Sequence, residues 1–137
     1  MTKLCFDDLR GKVCAITGGG GVIGRALAEG LGAVGVQVAV LDLIKPAADS
    51  VAEAVAAQYG VKAIGVEANV LDKASLEAAR ACVNEQLGPI DLLINGAGGN
   101  KKEASTSPQM SFFDMPADAI RFVFELNFVG TLLPSQV

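Results

Sequence analysis

Apolar residues along this chain fall into short blocks, each closed by glycine, proline or charged residues. Residues 12–17, KVCAIT, are a brief apolar run with β-branched side chains, which predicts a buried strand. A glycine-rich loop follows, and 23–34 carry apolar positions at helical spacing until Gly35 breaks them. Residues 36–41, VQVAVL, predict a second strand. Pro46 suits the first turn of a helix, 47–59 continue it, and Gly60 stops it. A third strand is predicted over 61–66. Asp72 is placed to cap a helix running to Leu87, which Gly88-Pro89 ends. Residues 90–95, IDLLIN, predict a fourth strand.

Strand and helix alternate at short intervals, which predicts βαβ units, a parallel sheet and right-handed crossovers. After the fourth strand the rhythm changes. Residues 96–114 show little periodicity and many small or polar side chains, as functional loops do. From 116 to about 133 the pattern turns helical again, with Ile120, Val123, Phe124 and Phe128 near one face.

Composition narrows the choice of partners. With 51% hydrophobic residues in 137, the chain can bury a core and reads as one domain. Its formal charge is −4, and it has no basic stripe, which argues against nucleic acid as a partner. It has no His, and Cys5, Cys14 and Cys82 show no C-x-x-C spacing, so neither a metal site nor a disulfide frame is expected. A reducing cytoplasm is the simplest home. The charged N-terminus, MTKLCFDDLRGK, lacks the apolar run of a signal peptide. The most apolar region, 30–44, is interrupted by Gln37 and Asp42 and is too short to span a bilayer, so no membrane partner is expected.

The candidate chemistry lies in 16-ITGGGGVIGRA-26. Gly19, Gly21 and Gly24 read as G-x-G-x-x-G, and Gly18, Gly21 and Gly24 as G-x-x-G-x-x-G. Thr17, Gly18 and Gly24 fit T-G-x-x-x-G-x-G except that Val22 stands where that pattern has glycine. Between a strand and a helix, such a loop lets the backbone approach a pyrophosphate, and the helix N-terminus adds N–H donors. A tight turn that merely allows close packing is the plainer reading. Asp42 strengthens the first, because it ends the second strand 18 residues after Gly24. A carboxylate there can take both hydroxyls of an adenosine ribose and would repel a 2′-phosphate, favouring NAD(H) over NADP(H). Arg25 and Lys45 are close enough in sequence to soften that preference. No Gly-Lys-Ser/Thr closes the loop, which excludes a Walker A site.

Taken together, Thr17-Gly18…Gly24, Asp42, Asn69-Val70 and 95-NGAG-98 resemble the short-chain dehydrogenase/reductase family. Asn95-Gly96-Ala97-Gly98 is similar to that family's N-N-A-G, with Gly96 replacing one Asn. GGGGVIG, INGAGGN, SFFDM and ELNFVGTLLPSQV look most like its D-mannonate oxidoreductase (fructuronate reductase-like) group, over nearly the whole chain from Phe6. The resemblance implies a Rossmann-type doubly wound parallel sheet in order 3-2-1-4, with 1–137 forming its NAD(P)-binding part. It places Gly18, Gly20, Gly21, Ile23 and Gly24 at the pyrophosphate and nicotinamide side, and Asp42 at the adenosine ribose. Asn69 and Val70 then edge the adenine, and Asn95, Gly96, Ala97 and Gly98 line the ribose. Val22 is read as a variant that leaves Gly21 to supply the flexible turn. Asn127 matches the helix Asn that holds a kink and a relay water, and an amide satisfying a helix break near Gly130 is a compatible reading. The substrate class implied is a keto or hydroxy sugar acid. Lys101 and Lys102 are placed to attract its carboxylate, or are simply a solvated loop.

The family's Ser and Tyr-x-x-x-Lys have no counterpart here. The single tyrosine, Tyr59, is followed by Lys62 three residues on and by Ala63 at the fourth. The chain therefore reads as the cofactor-binding half of a longer enzyme, or as a non-catalytic dinucleotide-binding or interaction module. An edge at the fourth strand and the Phe-rich last helix, with Phe122, Phe124 and Phe128, predict self-association into a homo-oligomer.

Overall fold

In the computed structural model, which describes residues 6–137, the apolar blocks become four parallel strands. They are β1 (Val13–Thr17), β2 (Gln37–Asp42), β3 (Ala63–Glu67) and β4 (Leu92–Asn95), ordered β3-β2-β1-β4. Ile16 of β1 pairs with Val40 on one side and Ile94 on the other. Every residue of β1 is buried, as a central strand covered on both faces requires.

Strand alternation sorts the side chains between two layers. Cys14, Ile16, Val38 and Val40 join Ala28 of α1 (Val22–Ala33) and Val51 and Val55 of α2 (Lys45–Tyr59) in one core. Val13, Ala15, Ala39 and Leu41 join Ala79 and Val83 of α3 (Lys73–Gln86) in the other. The sheet is thus doubly wound, a Rossmann-type α/β fold in the order expected. The helix stops also fall where the sequence places them. Asp72 caps α3 by accepting from the Ala74 N–H at 3.0 Å, and Gly60 closes α2 in the left-handed conformation at φ 67°. Asp91 ties the start of β4 to the start of β1, accepting from the Val13 N–H at 2.9 Å and Lys12 Nζ at 3.0 Å. Those donors hold its carboxyl below the usual range.

Beyond β4 the segment 96–114 is mostly irregular, with short 3₁₀ turns at Lys102–Ala104 and Phe112–Asp114. The helix expected from 116 is broken at Asn127, where the resemblance implied a kink. α4 (Ala117–Phe124) passes through a π-helical turn, Glu125–Val129, into α5 (Gly130–Gln136). Side chains explain the break: Asn127 Nδ2 donates to the Val123 carbonyl at 2.7 Å, and the Thr131 hydroxyl donates to the Asn127 carbonyl at 2.9 Å. Pro134, inside α5, brings no N–H to the ladder. Among the described residues β4 has only β1 as a partner, so its outer edge is open. Phe124 and Phe128 stack on the surface with centroids 5.1 Å apart. Cys14 and Cys82 are free thiols, and burial pushes Cys14 up to about 11. Cys5 lies outside the described residues.

Candidate functional site

Thr17, Asp42 and Asn95 end β1, β2 and β4 on the same side of the sheet. Between β1 and β4 the strand order reverses direction, which is where open parallel sheets bind ligands. The glycine loop, the Asp42 carboxylate and 95–98 meet at this crevice.

The loop's conformation decides which glycines matter. Gly18 is left-handed at φ 64°, and a Cβ there would lie 2.7 Å from Ala97 Cα and 2.8 Å from Ala97 N. A Cβ on Gly24 would lie 2.6 Å from Gly19 Cα, so this glycine lets α1 pack directly on the loop. One on Gly20 would lie 2.9 Å from both Asp42 Oδ2 and Ala47 Cβ. Gly21 corrects the sequence reading. It caps α1 in extended backbone, φ −77° and ψ 173°, with only Gly18 O within 4 Å of a hypothetical Cβ, at 3.4 Å. The flexible turn is made by Gly18, and Gly21 needs no unusual dihedral. Val22 opens α1 with a side chain 89% exposed.

Hydrogen bonds inside the loop leave a defined set of donors. Gly19 N–H donates to the Leu41 carbonyl, Gly20 N–H to Asp42 Oδ2 at 3.0 Å, and Gly21 N–H to the Gly18 carbonyl. Val22, Ile23 and Gly24, the first three residues of α1, have N–H groups with no acceptor among the described residues. They open the helix N-terminus, where an anion is favoured. Asp42 Oδ1 accepts from the Ile44 N–H at 3.0 Å, so each carboxylate oxygen is fixed by one backbone donor and keeps capacity for another. A cradle of unsubstituted backbone, three free N–H groups and an oriented carboxylate fit the pyrophosphate and ribose of a dinucleotide. Lys45, one of the two cations close in sequence to this site, is ion-paired with Asp49.

The opposite wall depends on Thr17, which the sequence reading quoted in the motif but assigned no role. Its buried hydroxyl accepts from the Gly96 and Ala97 N–H groups, each at 3.2 Å, and so pins the turn after β4 to the end of β1. Its signal was available: a hydroxyl residue ending a buried strand needs a partner. Asn95 Nδ2 donates to Ser135 Oγ at 3.0 Å, while its Oδ1 is buried without a donor among the described residues. Four residues on, Gly99 exchanges two hydrogen bonds with Asn127, giving its N–H to Oδ1 at 3.2 Å and taking Nδ2 at 2.8 Å. A Cβ on Gly98 would lie 2.6 Å from Asn127 Oδ1. Asn127 therefore braces both the helix break and the loop, and no donor capacity of its amide is left over.

The remaining candidates are dispersed. Asn69 closes its own turn by accepting from the Leu71 N–H at 3.0 Å and is otherwise exposed. Val70 is buried, and a Cβ on Gly130 would meet its Cγ2 at 2.9 Å. Lys101 Nζ stands 4.1 Å over the Phe122 ring, and Lys102 is exposed. Tyr59 packs in the α1–α2 core, against Gly32. No cluster of three or more metal-ligating side chains occurs among the described residues, and no helix there is long and apolar enough to cross a membrane.

Known proteins share this arrangement. The family described as short chain dehydrogenase matches residues 12–137. An uncharacterized oxidoreductase of Haemophilus influenzae is 39% identical over 147 residues, covering 100% of this chain and 51% of its own. The uncharacterized oxidoreductase UxuB of Bacillus subtilis is 41% identical over 139 residues, with 96% and 50% covered. Among solved structures, a Haemophilus protein provisionally assigned as a D-mannonate oxidoreductase, with NAD bound, superposes with a TM-score of 0.86 at 39% identity. That match covers 94% of this chain and 49% of the other. The NADPH-dependent 3-quinuclidinone reductase of Rhodotorula rubra superposes at 0.81 with 31% identity, covering 99% and 50%. The chain spans about half the length of the curated relatives it matches. From its glycine loop to its kinked last helix, it belongs to the short-chain dehydrogenase family.

Proposed function

We propose that residues 1–137 are the NAD-binding part of a cytoplasmic, homo-oligomeric short-chain oxidoreductase acting on a small sugar acid. Hydride would pass between nicotinamide and a keto or hydroxy acid of the D-fructuronate/D-mannonate kind. The observation that carries the cofactor assignment is the Asp42 carboxylate, held at the glycine loop by the Gly20 and Ile44 N–H groups. It presents two acceptor oxygens to a ribose diol and a negative charge to any 2′-phosphate. Gly18, Gly20, Gly21, Ile23 and Gly24 would form the phosphate side, and Asn95, Gly96, Ala97 and Gly98 the ribose wall. Asn69 and Val70 would border the adenine. Asn127 would hold the wall and the kink in register beside the reacting end. Resemblance to the D-mannonate oxidoreductase group supports the substrate class. The exposed Phe124–Phe128 stack supports association with further copies.

Bound nicotinamide supplies the hydride donor or acceptor. Proton transfer to the substrate oxygen needs an acid that these residues do not contribute, since Tyr59 is packed against Gly32. This favours binding without turnover by the 137 residues, the behaviour also expected of a non-catalytic module. Calorimetric titration with NADH and NADPH tests the assignment. NADH should saturate and bind more tightly than NADPH, and Asp42→Ala should weaken NADH by about tenfold or more, the loss of about 1.4 kcal/mol. Equal affinity of the two cofactors for the unaltered chain would refute the role given to Asp42.

A further inference from the structure

Val22 occupies the position at which T-G-x-x-x-G-x-G has a glycine, and its backbone is ordinary helix, with no positive φ in any described residue other than glycine. A glycine is therefore not required here for backbone freedom. What a glycine provides at such a point is room for the pyrophosphate to close on the N–H groups. In this chain that room matters more than usual. Gly19, Gly20 and Gly21 have spent their N–H groups inside the protein, on the Leu41 carbonyl, the Asp42 carboxylate and the Gly18 carbonyl. The donors of α1 without an acceptor among the described residues are those of Val22, Ile23 and Gly24, and the first two of these residues are 89% and 76% exposed. Leu43 and Ile44, also exposed, follow Asp42. The first two donors of α1 therefore sit on residues with exposed aliphatic side chains.

We infer that Val22 is the affinity-determining residue of this dinucleotide site: its isopropyl group holds the pyrophosphate back from the free N–H groups of α1. The inference rests on the dinucleotide reading above. It makes the pocket a deliberately loose one, in which Asp42 selects the ribose and the phosphates contribute less than the donor set allows. Enlarging the opening strengthens binding of any ligand that carries the pyrophosphate, while the preference between NADH and NADPH, set by Asp42, is unchanged.

The test is calorimetric titration of the whole chain and its Val22→Ala and Val22→Gly variants with NADH, NADPH and ADP. Thermal melts run alongside, because Ala favours and Gly disfavours the helix. Expected is a graded gain, with Val22→Ala binding NADH and ADP about threefold and Val22→Gly about tenfold more tightly, at a constant NADH/NADPH ratio. A gain from Gly alone, with Ala equal to Val, would overturn the inference by showing that flexibility and not bulk controls the site. Unchanged or weaker binding in both variants, with the parent chain binding NADH, would overturn it and leave the dinucleotide reading standing. Absence of binding by all three chains would refute that reading and this inference with it.

Discussion

Four consecutive glycines invite the assumption that they are interchangeable, and the structure ranks them instead. Gly18→Ala places a Cβ on a left-handed residue, φ 64°, at a cost of about 1–2 kcal/mol. The same Cβ would lie 2.7–2.9 Å from backbone atoms of Gly96 and Ala97, and no side chain there can swing aside. The 95–98 wall must move, which strains the two hydrogen bonds that Thr17 accepts from it, worth about 1 kcal/mol or more together. The sum is about 3 kcal/mol. For a domain of this length, about 2 cal/mol/K of unfolding entropy per residue turns that into a fall in Tm of about 10 °C. Gly21→Ala meets only Gly18 O at 3.4 Å and keeps φ −77°, so it loses no more than about 1 kcal/mol of N-cap preference. Gly20→Ala should behave differently from both. Its Cβ displaces the Asp42 carboxylate, so NADH binding falls while the melt changes modestly. The assay is a set of melts with NADH titration on the three single variants. If Gly18→Ala melts within about 2 °C of Gly21→Ala, the close approach of β1 and the turn after β4 is wrong.

Two further outcomes follow from the same contacts. Thr17→Val keeps the shape of a fully buried side chain but removes the acceptor of the Ala97 N–H, while the Gly96 N–H keeps the Thr17 carbonyl at 3.1 Å, and should lower the urea-derived stability by about 1–3 kcal/mol; an unchanged midpoint would mean that water replaces the hydroxyl. Asp91, depressed first by the Val13 N–H and then by Lys12, contributes stability that is present above the unfolded carboxyl value and is lost as pH falls through the folded one. The stability difference between the native chain and Asp91→Asn should therefore shrink between pH 5 and pH 3 in urea titrations, and a difference that stays constant would rule out the clamp.

How far the sequence anticipates this molecule depends on the range of the contacts involved. Strands β1 to β4 and helices α1 to α3 are written locally, in apolar runs, caps and stops such as Asp72 and Gly60, and their positions were legible within a few residues. Strand order needed more than local pattern and came from the family resemblance, which quoted motifs on β1, β2 and β4 together. The helix after Pro116 was only half legible. Its apolar face is periodic, but the π-helical turn exists because Asn127 reaches Val123 within the helix and Gly99 across the loop, and the second contact spans 28 residues. No local pattern encodes it, although the preceding Gly98 is its imprint, since a Cβ there would collide with the Asn127 amide.

The glycine loop shows the same limit in sharper form. Its motif could be laid over the sequence in three registers, because glycine spacing alone does not say which residue turns left-handed. Packing decides: Gly18 must pass Ala97, Gly20 must admit the Asp42 carboxylate, and Gly24 must let α1 lie against Gly19. Gly21 has no such neighbour, so its place in two of the three patterns is incidental. The structural consequence is that the glycine loop and the Asp42 carboxylate are one unit. The N–H that a free phosphate loop would offer at Gly20 is instead used to aim Asp42. On the proposed reading, selectivity for the ribose would come at the expense of one phosphate donor, and the donors of α1, which begin at Val22, would be reached past its side chain.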